Sequence, residues 1–208
     1  SYNFPGENFA SLLGKVSDIS GVKRIRFTSP HPKHFTDDVI WMMKDRENIC
    51  NHVHLPVQSG SDKMLKDMRR QYDREKFLEI AHKLRAIDSD FAISTDAIVG
   101  YVGETEQDFQ DTVSIFEEVR FDTAFMFAYS PRKGTKSFGE EEFLSHEEKI
   151  SRLNRLIETQ NKITLETNTA MIGKPAELLI EGLSPRDENE VIGKTDCFKK
   201  VIIPKGDL

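Results

Sequence analysis

HVHLPVQSGSDKMLKDMRR, residues 52–70, is the stretch that decides the fold. Its first half, residues 52–57, alternates apolar Val53, Leu55 and Val57 with other residues and predicts a strand. The strand ends at Gln58-Ser59-Gly60-Ser61-Asp62. A helix with Met64, Leu65 and Met68 on one face begins immediately afterwards, with Ser61 or Asp62 as its N-cap. Amide, hydroxyl and backbone N–H groups thus collect at the C-terminal end of a strand, facing the positive dipole end of the next helix. That is where α/β folds hold polar ligands.

The rest of the chain repeats this unit. VKRIRFTS (22–29) alternates, with Val22, Ile25 and Phe27 apolar and a polar tip at Thr28 and Ser29. Pro30-His31-Pro32 cannot be helical, because each proline constrains its predecessor. A helix over 36–47 follows, capped by Thr36. A second helix after the central strand runs from Tyr72-Asp73 to about Ile87, with Phe77, Ile80, Ala81 and Leu84 inward. FAISTDAIVGYVGETEQD (91–108) holds a buried strand, a turn at Gly100 and Gly103, and the start of a helix reaching Val119. FDTAFMFAYSPRKGT (121–135) gives a strand over 122–129 and a loop. Strand starts near 22, 52, 91 and 122 are roughly 30 to 40 residues apart with helices between, the period of β-α units in a parallel sheet. Upstream, residues 7–18 predict a short amphipathic helix. Downstream, 136–144 reads as a polar loop with a solvated acidic run, Glu140-Glu141-Glu142. Residues 145–168 form one helix with Ile150, Leu153, Leu156, Ile157, Ile163 and Leu165 inward, and 169–208 holds about three short strands of a small, incomplete β-barrel.

Composition limits the function classes. With 208 residues, 38% hydrophobic and 31% charged, the chain supports one sizeable core and a small appendage. No apolar run approaches the roughly 18 residues of a membrane span, the N-terminal SYNFPGENF has no signal-peptide profile, and a cytoplasmic location with no membrane partner is expected. The net charge of −6 argues against indiscriminate polyanion binding. Cys50 and Cys197 are the only cysteines, too few for a metal cluster or a disulfide framework.

Polar residues at successive strand ends mark the working face: Thr28, Ser29 and His31; Gln58, Ser59 and Ser61; Thr95 and Asp96; Tyr129, Ser130 and Arg132. Amide and hydroxyl groups there suit a ribose, and backbone N–H groups suit a carboxylate. The competing reading is that each polar tip only satisfies a helix N-terminus. Asp96 interrupts an apolar strand, so it needs a donor or faces the mouth. His31 could meet a substrate base or be a structural loop histidine. Arg69 or Arg70, following Lys63 and Lys66, could reach back to a ligand carboxylate. Neither GxGxxG nor GxxxxGK[ST] is present, so Gly100 and Gly103 are turn glycines.

The segments IRFTSPHPKHF (25–35), HVHLPVQSGSDKMLKDMRRQYDREKF (52–77), ISTDAIVGYVGETEQDFQDT (93–112) and FDTAFMFAYSPRKGT (121–135) closely resemble the radical S-adenosylmethionine methylthiotransferases. TSPHP combined with LPVQSGS resembles the bacterial branch that makes 2-methylthio-N6-dimethylallyladenosine in tRNA. The resemblance implies an α/β fold: the last four β-α units of a partial (β/α)6 TIM-like barrel over 1–168, then an incomplete TRAM domain, the family's OB-like RNA-binding β-barrel, over 169–208. It implies S-adenosylmethionine and two 4Fe–4S clusters as cofactors. It implies tRNA as partner, with N6-isopentenyladenosine at position 37 converted to its 2-methylthio form, while the sulfur and electron donors stay unnamed. By position, Gln58 and Ser59 match the strand end near the cofactor's ribose and methionine portions. Arg70, Thr95, Asp96 and Tyr129 are carried over to the same face, and Ile98, Val99 and Gly100 fall at the glycine turn near adenine. Ser29, His31, Arg132 and Lys133 are the candidates for the RNA substrate.

One departure stands out. The family's CxxxCxxC cluster motif is absent, so the chain is expected to be a fragment of the enzyme, inactive alone. Within the enzyme reading another methylthiotransferase branch is the alternative, and two other readings compete with an enzyme fragment. A non-catalytic tRNA-binding module is one, although residues 169–208 carry six basic and seven acidic side chains and form no general polyanion grip. An aldolase-like barrel is the other, but no strand tip offers a catalytic lysine.

Overall fold

The computed structural model describes residues 5–28, 31–135, 137–139 and 144–206. Strands β1 (His52–His54), β2 (Ala92–Val99) and β3 (Thr123–Ala128) lie parallel and in that order. Helices α1 (Phe9–Ser17), α2 (Asp37–Asp45), α3 (Asp62–Asp67), α4 (Arg74–Arg85), α5 (Glu106–Val119) and α6 (His146–Thr169) punctuate the chain, with a 3-10 turn at Pro32–His34. Phe91 and, in the central strand, Ala92, Ile93, Ala97 and Val99 are fully buried, whereas Asp96 and Ile98 are only partly covered and line a cavity on the sheet's open side. Phe77 of α4 and Phe116 of α5 meet Phe121 edge-on, at 6.1 and 5.0 Å between ring centres. Each long helix starts where a side chain takes up its unpaired N–H groups: Asp73 for α4, Thr105 with Asp108 for α5, Ser145 with Glu148 for α6.

The strand expected over 22–28 is reduced to a single parallel bridge, Ile25 to Ile49. The reason is local: His52 N–H donates to Cys50 O at 2.8 Å, consuming both groups that the next rung toward Phe27 would use. The strand expected over 52–57 also stops early, at His54. His54 pairs with Ser94 but Gln58 pairs with Ala97, so four steps on one side face three on the other, a one-residue bulge centred on Pro56. The Thr95 hydroxyl closes the gap, accepting from Val57 N–H at 2.9 Å and donating to Leu55 O at 2.8 Å.

The inward face of α6 differs from the apolar pattern. Lys149, Arg152, Leu156, Gln160 and Ile163 are its buried positions, whereas Leu165 is exposed. Two residues beyond Ile163 is about 200° around a helix, so Leu165 cannot share its face. Polar side chains take inward sites because they have partners there: Arg152 with Glu104 at 2.6 Å, and the Gln160 amide donating to Phe121 O at 2.7 Å.

After α6, strands β4 (Leu179–Leu183), β5 (Glu190–Lys194) and β6 (Lys200–Pro204) make an antiparallel sheet. Its β5–β6 turn docks at the N-terminal end of the parallel sheet. Arg26 donates to Thr195 O and Asp196 O at 2.7 and 3.0 Å, Asn51 N–H donates to Asp196 at 2.7 Å, and Lys199 pairs with Asp122 at 3.0 Å. The Phe198 ring stacks on His52 at 4.8 Å, flanked by Arg26 and Lys194, each 4.9 Å away. The opposite end of the sheet stays open.

Candidate cofactor site

The bulge before Gln58 shapes the open end. Gln58 is locked from both sides, its N–H donating to Asp96 O and its carbonyl accepting from Ile98 N–H, each at 2.8 Å. Those two bonds hold it at φ 64°, a left-handed conformation costly for any residue but glycine. Arg69 repeats the feature at φ 56°: α3 is a single short helix, and its end is closed by Arg70 N–H donating to Leu65 O at 2.8 Å. Both residues line the same cavity.

Between these elements lies a cavity of about 780 Å³ whose wall includes Gln58, Arg70, Asp96, Ile98, Tyr101, Phe127, Tyr129 and Arg132. The Arg70 Nε is buried without a protein partner. Tyr101 and Tyr129 meet edge-on at 4.8 Å, and the Tyr129 hydroxyl donates to Ser137 Oγ, another lining residue, at 2.8 Å. The turn beneath Tyr101 is held by Gly100 N–H donating to Glu104 Oε1 at 2.8 Å. Gly100 is required there: its φ is 73°, and a Cβ would lie 2.6 Å from Lys149 Cγ. Burial raises the Glu104 carboxyl above the ordinary range despite its bond to Arg152. On the same sheet face, His52 Nε2 and His54 Nδ1 both reach Ser94 Oγ, at 3.1 and 3.0 Å, and His54 Nε2 meets Asp96 at 3.2 Å.

Gln58, Arg70, Asp96, Tyr129 and Arg132, widely separated in the chain, therefore share one cavity. Ser59, Thr95 and Val99 do not line it; all three are fully buried. The Ser59 hydroxyl faces Thr112 Oγ1 at 3.1 Å, the Thr95 hydroxyl serves the bulge, and Val99 belongs to the apolar core. His31 caps the 3-10 turn, accepting from Lys33 N–H at 3.2 Å, with its ring edge-on to Tyr72 at 5.4 Å. Burial, reinforced by Arg70, lowers its pKa. Thr28 and Lys133 are exposed outside the cavity wall, and Ser29 and Glu140-Glu141-Glu142 lie outside the described residues. Arg69, named beside Arg70 as a candidate for a ligand carboxylate, lines the cavity too, whereas Tyr101, Met68 and Phe127 line it without having been singled out as site residues. Tyr101 directly follows the glycine turn and Phe127 alternates with Met126 and Ala128, signals visible in the sequence but without direction.

The wall offers arginine side chains, amide and carboxylate groups and aromatic faces, and so fits a nucleoside-sized ligand carrying a carboxylate. It offers no thiolate. Burial pushes the Cys50 thiol up to about 12 and the Cys197 thiol to about 11, opposite to what metal ligation needs. Among the described residues no group of three or more His, Cys, Asp or Glu is placed to hold a metal ion. Among the described residues, too, no helix is long and apolar enough to cross a membrane.

Comparison with known proteins gives this geometry a family. The chain is 52% identical over 199 residues to a tRNA-2-methylthio-N(6)-dimethylallyladenosine synthase of Methylacidiphilum infernorum, covering 96% of this chain and 43% of that protein. A protein of the same name from Thermoanaerobacter sp. is 49% identical over 193 residues, covering 93% and 41%. The chain thus spans about two fifths of the length of the curated relatives it matches. Coproporphyrinogen III oxidase from Escherichia coli, described as a radical SAM enzyme, superposes with a TM-score of 0.55 at 19% identity over 65% of this chain and 31% of its own, a likeness of fold. The Radical SAM superfamily profile matches residues 3–116, more than half of the sequence, and the chain therefore belongs to the radical SAM superfamily.

Proposed function

We propose that this chain forms the cofactor-binding side of a tRNA methylthiotransferase that converts N6-dimethylallyladenosine to its 2-methylthio derivative. The observation that carries the reading is the convergence of Gln58, Arg70, Asp96 and Tyr129 on one cavity, in a chain 52% identical to a protein named for that product. The parallel sheet with its outer helices is the latter part of the barrel, and β4–β6 belong to the RNA-binding TRAM domain.

S-adenosylmethionine fits the cavity. Arg70 takes its carboxylate, Gln58 and Asp96 its ammonium and ribose groups, and Ile98 with the Tyr101 ring flanks its adenine. When bound, the cofactor supplies the radical chemistry of the superfamily. The side chains hold and orient it. The 4Fe–4S clusters do not fit this stretch. A cuboidal cluster draws on cysteine thiolates, and the sequence has two cysteines, both with raised thiol pKa values. Cluster ligation and turnover therefore belong to a longer protein, and these 208 residues are inactive alone.

Calorimetric titration of the full-length, iron-loaded protein with S-adenosylmethionine tests the reading, with Arg70→Ala and Gln58→Ala beside it. Removing a charged hydrogen-bond donor costs about 1.5–3 kcal/mol, so Arg70→Ala weakens binding roughly ten- to a hundredfold. Wild-type protein that carries iron and binds no S-adenosylmethionine would end the proposal.

A further inference from the structure

Two aromatic rings beside the cofactor cavity are left over by that assignment. Along β3, Ala124 and Met126 pack against the core, while Phe125 and Phe127 on the other face are 53% and 55% exposed. Phe125 stands beside Asp96 in the register and Phe127 beside Ile98. Phe127 and Ile98 are part of the cavity wall, and Phe125 continues the same face one pleat toward the start of the strand. The His54 ring meets Phe125 at 6.1 Å while its Nε2 meets Asp96, so a polar edge runs alongside the aromatic one.

We propose that Phe125 and Phe127 form the shelf that receives the branched five-carbon N6 substituent of the target adenosine and select prenylated over unmodified RNA. The inference rests on the methylthiotransferase reading and adds the residues that set its substrate specificity. The relatives are named for dimethylallyladenosine, a polar purine with a wholly apolar branched substituent. An apolar stripe bordered by Asp96 and His54 matches both parts of that base. Because Phe127 also bounds the cofactor cavity, a base seated on the shelf lies next to the bound cofactor. An apolar pocket discriminates by the surface it buries, so five carbons are enough for a marked preference.

The test measures, by fluorescence anisotropy, binding of the full-length protein to two anticodon stem-loops, identical except that one carries N6-dimethylallyladenosine and the other adenosine at the target position. Wild type should prefer the prenylated RNA by about tenfold or more. Phe125→Ser should cut that preference severely and leave affinity for the unmodified stem-loop unchanged; Phe127→Ser, which also alters the wall of the cofactor cavity, should cut the preference as well, while Phe127→Leu keeps most of it. Serine variants with the wild-type preference would overturn the shelf, as would a wild type with no preference. A parallel loss of both affinities together with thermal stability would also overturn it, marking the rings as packing for another part of the protein. Titration of the same samples with S-adenosylmethionine separates the two levels. Cofactor bound normally means that only the shelf fails, and no cofactor binding by wild type means that the underlying reading fails too.

Discussion

Gln58 shows how one residue trades stability for position. Its left-handed backbone is held by bonds to Asp96 and Ile98, and only 7% of its surface is exposed, yet it reaches the cavity. Gln58→Gly should relieve the strain and raise stability by up to about 1 kcal/mol while weakening S-adenosylmethionine binding. Thermal denaturation and calorimetry on the same sample would read the opposite signs. Gly60 is the reverse case. A Cβ there would lie 2.2 Å from Asp111 O, so Gly60→Ala must push α5 away from the cavity rim and should cost about 3 kcal/mol in urea denaturation. His52 carries a pH signature. Burial, then Arg26, lowers its pKa to about 4, so the unfolded chain takes up the proton first as pH falls. Stability from the neutral ring is complete above an ordinary imidazole pKa of about 6.5 and declines toward pH 4, by up to about 2 kcal/mol between pH 7 and pH 5. In His52→Gln this part of the pH dependence should vanish from urea midpoints measured at the two pH values.

Among the elements, the β1 bulge and the β5–β6 turn have separable roles. Thr95 faces no ligand but closes the bulge with its hydroxyl. Thr95→Val leaves the Val57 N–H and Leu55 carbonyl unpaired in a buried site and should destabilise by about 2–4 kcal/mol, whereas Thr95→Ser keeps the bonds and most of the stability. At the other end of the sheet, Phe198 sits at φ 63° with His52, Arg26 and Lys194 around its ring. Stacking and cation–π contacts are each worth about 0.5–1.5 kcal/mol, so Phe198→Ala should loosen β4–β6 before the parallel sheet unfolds. Limited proteolysis would then release a fragment ending near Thr169. A tail anchored at the N-terminal end of the parallel sheet also leaves the cavity at the other end uncovered by it.

For the molecule as a whole, the order of strands and helices was legible from apolar periodicity and glycine turns, and β2, β3 and α4 to α6 appear within a few residues of where the pattern puts them. The convergence of Gln58, Asp96 and Tyr129 was legible as well, because parallel strands bring their C-terminal ends to one side. Thr28 was the exception, since the ladder that would carry it stops at one bridge. The direction in which each polar tip points was not legible. A single extra residue at Pro56 turns Gln58 to the cavity while Ser59 and Thr95 face the interior, and hydrophobic alternation cannot count a bulge. By itself the sequence determined the α/β succession, the glycine turns, the two-cysteine limit on cluster chemistry and the kinship with radical SAM proteins, since these follow from residue type and spacing along the chain. Only the tertiary structure decided which polar groups line the cavity, where the tail docks and which phenylalanines remain uncovered, because those depend on hydrogen bonds between segments tens of residues apart.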